Sequence, residues 1–308
     1  MISLMAPGKS GPEMRERGRD MEILTNGWAD YELLDCGGGM KVERFGAFVL
    51  ARPAPQALWK PSRPIAEWDP WAIYRRSSSG GGQWDVIRTL PDEWPIRWNQ
   101  LTFNLKPTGF GHIGIFPEQQ PFWEWIDHQV RAIPGQANVL NLFAYTGGST
   151  LAALGAGAKV CHVDGSKGVV TWANRNASVS GFSDRPIRWI VDDALKFVQR
   201  EARRGVQYHG IVLDPPSFGR GPKGQVWKIE THLPELFDAF RNILSPEHAF
   251  FLVTCHSANV SAPGLRNMIR ILDSDSKSPI ETGDILLNHS NSSLRLPAGV
   301  FARWVRSR

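Results

Sequence analysis

ANVLNLFAYTGGSTLAALGAGAKVCHVD, residues 137–164, decides the fold. A short apolar run (137–143) breaks at a glycine-bearing turn. A small-residue helix follows, and a second apolar run (158–164) ends in an acid. Strand, turn, helix and strand in that rhythm form one crossover unit of a parallel sheet. Downstream the unit recurs: helix SKGVVTWANRNASVSG, strand PIRWIVD (186–192), helix ALKFVQREARRG, strand HGIVLD (209–214), a helix over 229–243 and strand HAFFLVT (248–254). The chain therefore reads as α/β, with a doubly wound, mostly parallel, Rossmann-like sheet over 136–308. Ligands of such sheets bind at the carboxyl ends of the strands, so the residues just after each strand are the ones to question.

Upstream the pattern differs. Alternating stretches such as KVERFGAFVLARP (41–53) and QWDVIRTL (83–90), split by Gly/Pro/Ser clusters, predict a small β-rich domain over 27–112. Residues 113–135 are a connecting segment with an amphipathic helix from Pro117, stopped by Pro134-Gly135. Residues 1–26 lack apolar periodicity and read as a flexible tail. Of 308 residues, 35 are Lys or Arg and 30 Asp or Glu, a net charge of +5 that leans toward acidic partners such as nucleic acid. Three cysteines without a CxxC pair exclude a disulfide framework and a cysteine-rich zinc site, and no metal is expected. No apolar run approaches the roughly 18 residues of a membrane helix, and the start lacks a secretory pattern, so a cytoplasmic protein without membrane partners is expected.

The turn after the first strand, Phe143-Ala144-Tyr145-Thr146-Gly147-Gly148, keeps only the last glycine of a dinucleotide fingerprint. Phe143 and Tyr145 would obstruct a pyrophosphate, and no GxxxxGK[ST] loop occurs. The free amides of the helix start suit a carboxylate instead. Asp164, followed by Gly165 and Ser166, ends the second strand where an acid can accept ribose hydroxyls. Asp192-Asp193-Ala194 ends the third, where a carboxylate can take an adenine amine; a helix N-cap is the alternative for Asp164 or Asp193 alone. Adenosine plus a carboxylate without phosphates is S-adenosylmethionine.

The fourth strand ends in Asp214-Pro215-Pro216-Ser217-Phe218. Two prolines hold this chain extended, so that Asp214 and the Pro216 carbonyl can form a rigid acceptor for a flat base; a turn with an N-cap is the alternative. The fifth ends in Thr254-Cys255-His256-Ser257. A cysteine there suits carbon-5 methylation of a pyrimidine, in which thiolate addition at carbon 6 activates carbon 5. A small buried apolar residue is the alternative for Cys255. His256, one residue along, faces away and is read as a bystander. The loop between the motifs carries Arg220, Lys223 and Lys228, which could hold phosphates, a solvated loop being the alternative. Arg295, Arg303, Arg306 and Arg308 could extend that surface or be solvated.

On LNLFAYTGG (140–148), VDGSK (163–167), DDALKF (192–197), LDPPSF (213–218) and TCHS (254–257), the chain resembles the bacterial large-subunit ribosomal RNA cytosine-5 methyltransferases and their class I relatives. The resemblance spans roughly 135–260. GHIGIFPEQ (111–119) looks like the segment that closes over the cofactor in that family, which implies Phe116 and Gln119 as cofactor contacts. The resemblance further implies a seven-stranded sheet with its last strand antiparallel, Asp164 on ribose, Asp193 on adenine, Asp214 on the base, Cys255 as nucleophile and ribosomal RNA as partner. Residues 27–112 do not match that family's RNA-binding module. Two other readings stand beside this one: methylation of guanine or another base nitrogen, which needs no cysteine, and a non-catalytic RNA-binding or assembly protein.

Overall fold

The structure is a computed structural model that describes residues 20–77, 81–274 and 278–306. Its first strand, β1 (Asp20–Thr25), is followed by β2 (Tyr31–Gly37), β3 (Met40–Phe45), β4 (Phe48–Pro53), β5 (Ala72–Arg76) and β6 (Gly82–Val86), the last five forming one sheet in that order. KVERFGAFVLARP is its central hairpin, turning at Gly46, whose φ of +61° suits glycine. A separate antiparallel pair, β7 (Trp94–Trp98) and β8 (Leu101–Leu105), completes the β-rich region. Helix α1 (Gln120–Ala132) starts three residues later than its amphipathic pattern, because Pro117–Gln119 form a tighter single turn ahead of it.

The crossover units then appear in sequence: β9 (Asn138–Leu142), α2 (Gly148–Gly155), β10 (Lys159–Asp164), α3 (Lys167–Val179), β11 (Ile187–Val191), α4 (Ala194–Arg203) and β12 (Gly210–Leu213). A short hairpin, β13 (Phe218–Arg220) and β14 (Val226–Lys228), precedes α5 (Ile229–Phe240), β15 (Ala249–Cys255), α6 (Ala262–Leu272), β16 (Ile280–Asn288) and β17 (Arg295–Arg306). The main sheet runs β1-β16-β17-β15-β12-β9-β10-β11, with β17 antiparallel to both neighbours. Chain order reverses between β9 and β12, and the crevice opens there at the strands' carboxyl ends.

Two expectations are corrected. The sheet has eight strands rather than seven, because β1 adds to its edge parallel to β16. Residues 20–25 are therefore not tail. Ile23 is buried and Thr25 donates to the Pro117 carbonyl at 3.1 Å, so this short strand is held by its partners rather than by its own periodicity. The remainder of the predicted tail, residues 1–19, lies outside the described residues.

One apolar cluster lies between the sheet and α4, α5 and α6. The other, on the opposite face, runs without a break from Leu151, Val139 and Phe301 through Trp123 into Trp28, Leu50 and Phe103 of the β-rich region. Residues 27–112 thus share a core with the main sheet. Most tryptophans serve this packing: Trp123 touches Trp28, Trp98 and Phe103 with ring centroids 5.2–5.6 Å apart. Glu43 is buried with Arg52 at 2.6 Å and accepts from the Tyr31 hydroxyl at 3.0 Å, which satisfies a charge that would be costly alone.

Candidate active site

At the strand ends lies a cleft of about 560 Å³, within the usual range for a small-molecule site. Its floor begins at the turn after β9. Phe143 (φ +53°), Tyr145 (φ +49°) and Gly147 (φ +95°) all take left-handed backbone conformations there. The two aromatics hold these at a cost of about 1 kcal/mol or more each, a strain that collects at functional sites. The turn is pinned from outside. The Asp164 carboxylate accepts the Tyr145 amide at 3.0 Å and the Ser166 amide at 2.9 Å, and the Thr146 hydroxyl donates to the Gly114 carbonyl at 2.5 Å. Burial pushes the Asp164 carboxyl above its ordinary pKa, against the pull of those two amides. Gly148 is retained for closeness: a Cβ there would lie 2.7 Å from the Trp123 ring.

Asp192 and Asp193 also line the cleft. Asp193 caps α4, with Oδ1 accepting the Lys196 amide at 3.0 Å, so the cap reading holds for one of its oxygens. Asp192 pairs with Arg200 at 2.7 Å. Asp214 stands between the cleft and a smaller adjoining hollow lined by Gln119, Tyr145, Gly148 and Ser149. Its Oδ2 accepts from the Gln119 amide at 3.2 Å and faces His256 Nε2 at 3.3 Å. Its Oδ1 is buried and unbonded, as is the Tyr145 hydroxyl. The first turn of α2 leaves amides without intrahelical acceptors beside the same hollow.

Strand β15 reverses the expected order of its last residues. Cys255 packs with Val253 and Phe251 in the cluster beneath α5 and α6 and is 1% exposed. Burial, then the Asp214 charge, push the thiol above its ordinary pKa, despite bonds from Ser257 that pull it down. It is absent from the cleft wall, whereas His256 and Ser257 form part of it. The nucleophile expected at Cys255 therefore points into the core, and the presumed bystander faces the site. Burial lowers the His256 pKa, but the Asp214 charge and hydrogen bond, Glu118 at 3.9 Å and the Ala298 carbonyl raise it to about 9. The Ala298 carbonyl faces Nδ1 and the Asp214 carboxylate faces Nε2, an arrangement that favours the charged ring, which lies against the Phe116 ring at 5.9 Å.

Other predicted residues divide. Pro215, Pro216, Ser217 and Arg220 line the cleft, and Ser217 shares a 2.6 Å hydrogen bond with Ser257. The Pro216 carbonyl accepts the Trp227 indole N–H at 2.7 Å, so that lone pair is turned away from a base. Phe218, Lys223 and Lys228 are exposed but do not line the cleft. Phe116, Gly165, Ser166 and Ala194 line the cleft and Ala144 and Thr146 the hollow; a Cβ on Gly165 would lie 3.5 Å from the Arg220 carbonyl of the hairpin. Arg295, Arg303 and Arg306 are paired with Glu22, Glu281 and Asp273 rather than free for a polyanion, and Arg308 lies outside the described residues. Sequence reading missed Arg76 and His112, which reach the cleft from the β-rich side.

Residues 73–246 match the family model for S-adenosylmethionine-dependent methyltransferases. A crystal structure of such an enzyme from Agrobacterium tumefaciens is 37% identical, with a TM-score of 0.88 over 92% of this chain and 93% of that one. This chain belongs to the S-adenosylmethionine-dependent methyltransferases. A crystal structure of a protein complexed with SAH shares the fold at 19% identity, with a TM-score of 0.70 over 89% of this chain and 75% of that one. Two curated relatives are called ribosomal RNA large subunit methyltransferase K/L. The one from Shewanella frigidimarina is 30% identical over 56% of this chain and 24% of its own length; that from Syntrophotalea carbinolica is 29% identical over 47% and 19%. The match thus spans a quarter or less of those relatives.

The residues present fit the methyl donor of the family. Its carboxylate matches the free amides of α2, and its ammonium group matches the orphaned Asp214 Oδ1. Each Asp164 oxygen accepts one amide, which leaves a second lone pair that would serve the donor's ribose. When bound, the donor supplies a methyl group made electrophilic by its sulfonium. Among the described residues no helix is long and apolar enough to cross a membrane.

Proposed function

We propose that this methyltransferase modifies RNA, with ribosomal RNA as the substrate class, and that the methyl group goes to a nitrogen of a nucleobase. The observation that carries the nitrogen reading is the burial of Cys255 beside a cleft walled by Asp214, Pro215, Ser217 and His256. A ring or amine nitrogen has its own lone pair and needs no thiolate. Methylation of cytosine carbon 5 needs a sulfur within bonding distance of the base, and here only a rearrangement of β15 would supply one. The RNA reading draws on the names of the curated relatives and on the cations at the cleft mouth.

In this account Asp164 holds the donor's ribose, and the α2 amides with Asp214 hold its amino-acid end. Pro215 and Pro216 keep the wall extended, so the base meets a fixed surface rather than a mobile side chain. His256 and Gln119 occupy Asp214 Oδ2, which leaves the buried, unbonded Oδ1 for the donor. His256 is thus a positioning residue for Asp214. The nitrogen lone pair forms the new N–C bond as the C–S bond breaks and its electron pair returns to sulfur. Any proton on that nitrogen leaves to solvent at the open mouth.

The test is transfer from methyl-labelled donor to unmodified large-subunit ribosomal RNA, followed by nucleoside analysis. An N-methylated base retained in Cys255→Ala supports the reading. A 5-methylcytosine product lost in that variant overturns its nitrogen chemistry, and absence of transfer to any RNA overturns its substrate class.

A further inference from the structure

The β-rich region shares a core with the catalytic sheet, yet one of its side chains also reaches the cleft. We propose that Arg76 grips a backbone phosphate of the RNA at the cleft mouth, so that this region acts as a substrate clamp; the inference rests on the RNA reading above.

Alternation along β5 places Ala72, Tyr74 and Arg76 on one face and Ile73 and Arg75 on the other. Tyr74 is buried. Its hydroxyl donates to the Gly109 carbonyl at 2.9 Å, and a Cβ on Gly111 would lie 2.5 Å from its ring. Trp84 donates to the Thr108 carbonyl at 2.9 Å, and Arg52 to that of Gly111 at 3.2 Å. Residues 108–112 are therefore bolted to β4, β5 and β6, and the same segment runs on to Phe116 beside the cofactor turn. Arg76 lies one side-chain repeat beyond Tyr74 on that face, where the strand ends, and it lines the cleft with His112.

Its electrostatic situation separates it from its neighbours. Arg44, Arg52, Arg75 and Arg88 each pair with a carboxylate. Arg63 stacks over Trp68 at 3.5 Å. Arg76 has no carboxylate partner among the described residues. Of the acids in the cleft, Asp192 already holds Arg200 and Asp214 faces His256. His112 beside it is held neutral: burial, then the charges of Arg52, Lys41 and Arg76, lower its pKa to about 4. A free guanidinium fork on a rigid strand, at the mouth of a site that takes a base, matches a phosphate in shape and charge. Phe110, 72% exposed at the tip of the same turn, offers a stacking surface for a neighbouring base. A lone nucleobase or nucleoside would have no use for Arg76, so the clamp selects a substrate that carries phosphate.

The experiment measures anisotropy of a labelled single-stranded RNA oligonucleotide across a salt series, on the full chain and on Arg76→Ala and Arg76→Lys, with methyl transfer to ribosomal RNA in parallel. SAH calorimetry on each variant reports whether the cofactor site is intact. Arg76→Ala is expected to weaken RNA binding about tenfold, and to reduce the slope of log affinity against log salt by about 0.7. The KM for RNA should rise about tenfold while SAH affinity stays the same, and Arg76→Lys should restore the slope. Unchanged RNA affinity and slope in Arg76→Ala overturn the clamp, as does a wild-type chain that binds no RNA. Binding that responds to Arg76 without methyl transfer would sustain the clamp and overturn the proposed reaction.

Discussion

The turn after β9 and the end of β15 both border the cleft, and they differ in how far their chemistry can be read from residue types. At the first, glycine spacing, two aromatics and an acid at the next strand end exclude a pyrophosphate and admit a carboxylate-bearing adenosine ligand. The structure brings those residues together at the crevice. At the second, the tetrapeptide Thr254–Ser257 borders the cleft, but His256 and not Cys255 faces it. All seven residues of β15 are buried, so its apolar run carries no alternation to say which side chains face which layer. A loop motif locates a site, but only the register of the strand feeding it decides which neighbour is presented.

The comparison breaks most visibly at Asp214. Asp214→Asn keeps the shape but loses the charge facing His256 and the donor's ammonium group. We expect kcat/KM to fall by about 100-fold or more, measured with labelled donor on ribosomal RNA. Asp164→Ala tests the legible turn. It removes the acceptor for the Tyr145 and Ser166 amides, and SAH affinity by calorimetry should fall about tenfold to 100-fold, or about 1.4–2.7 kcal/mol.

His256 sharpens the contrast through pH. Its pKa is raised in the folded chain, so its charged contribution is complete below the unfolded value of about 6.5 and is lost as pH rises through about 9. The groups facing it are Asp214, Glu118, Gln119 and the Ala298 carbonyl. SAH affinity and the thermal midpoint should decline together over that window. His256→Gln should lower activity about tenfold and flatten the decline; an undiminished decline in the variant would remove His256 from the site. The smallest effect is expected at Cys255. Cys255→Ala should keep kcat within about twofold and cost about 1 kcal/mol of stability in denaturant titration, the signature of a trimmed core side chain.

Much of the architecture is legible because β9 to β15 alternate with helices at regular spacing, and each strand end carries an informative residue. What escaped is tertiary. β1 is six residues whose pairing depends on β16, more than 250 positions away. The role of Arg295, Arg303 and Arg306 depends on acids met only in the fold. Arg76 reaches the cleft from a different sheet, and no local motif marks it. Asp193 shows both readings at once, with one oxygen capping α4 while the residue lines the cleft.

The central claim is that the cleft methylates a nitrogen without help from the buried thiol. It is tested most directly by nucleoside analysis of ribosomal RNA methylated by the wild type and by Cys255→Ala. The account predicts the same N-methylated base from both proteins at similar rates. A 5-methylcytosine made by the wild type and absent with the variant would contradict it.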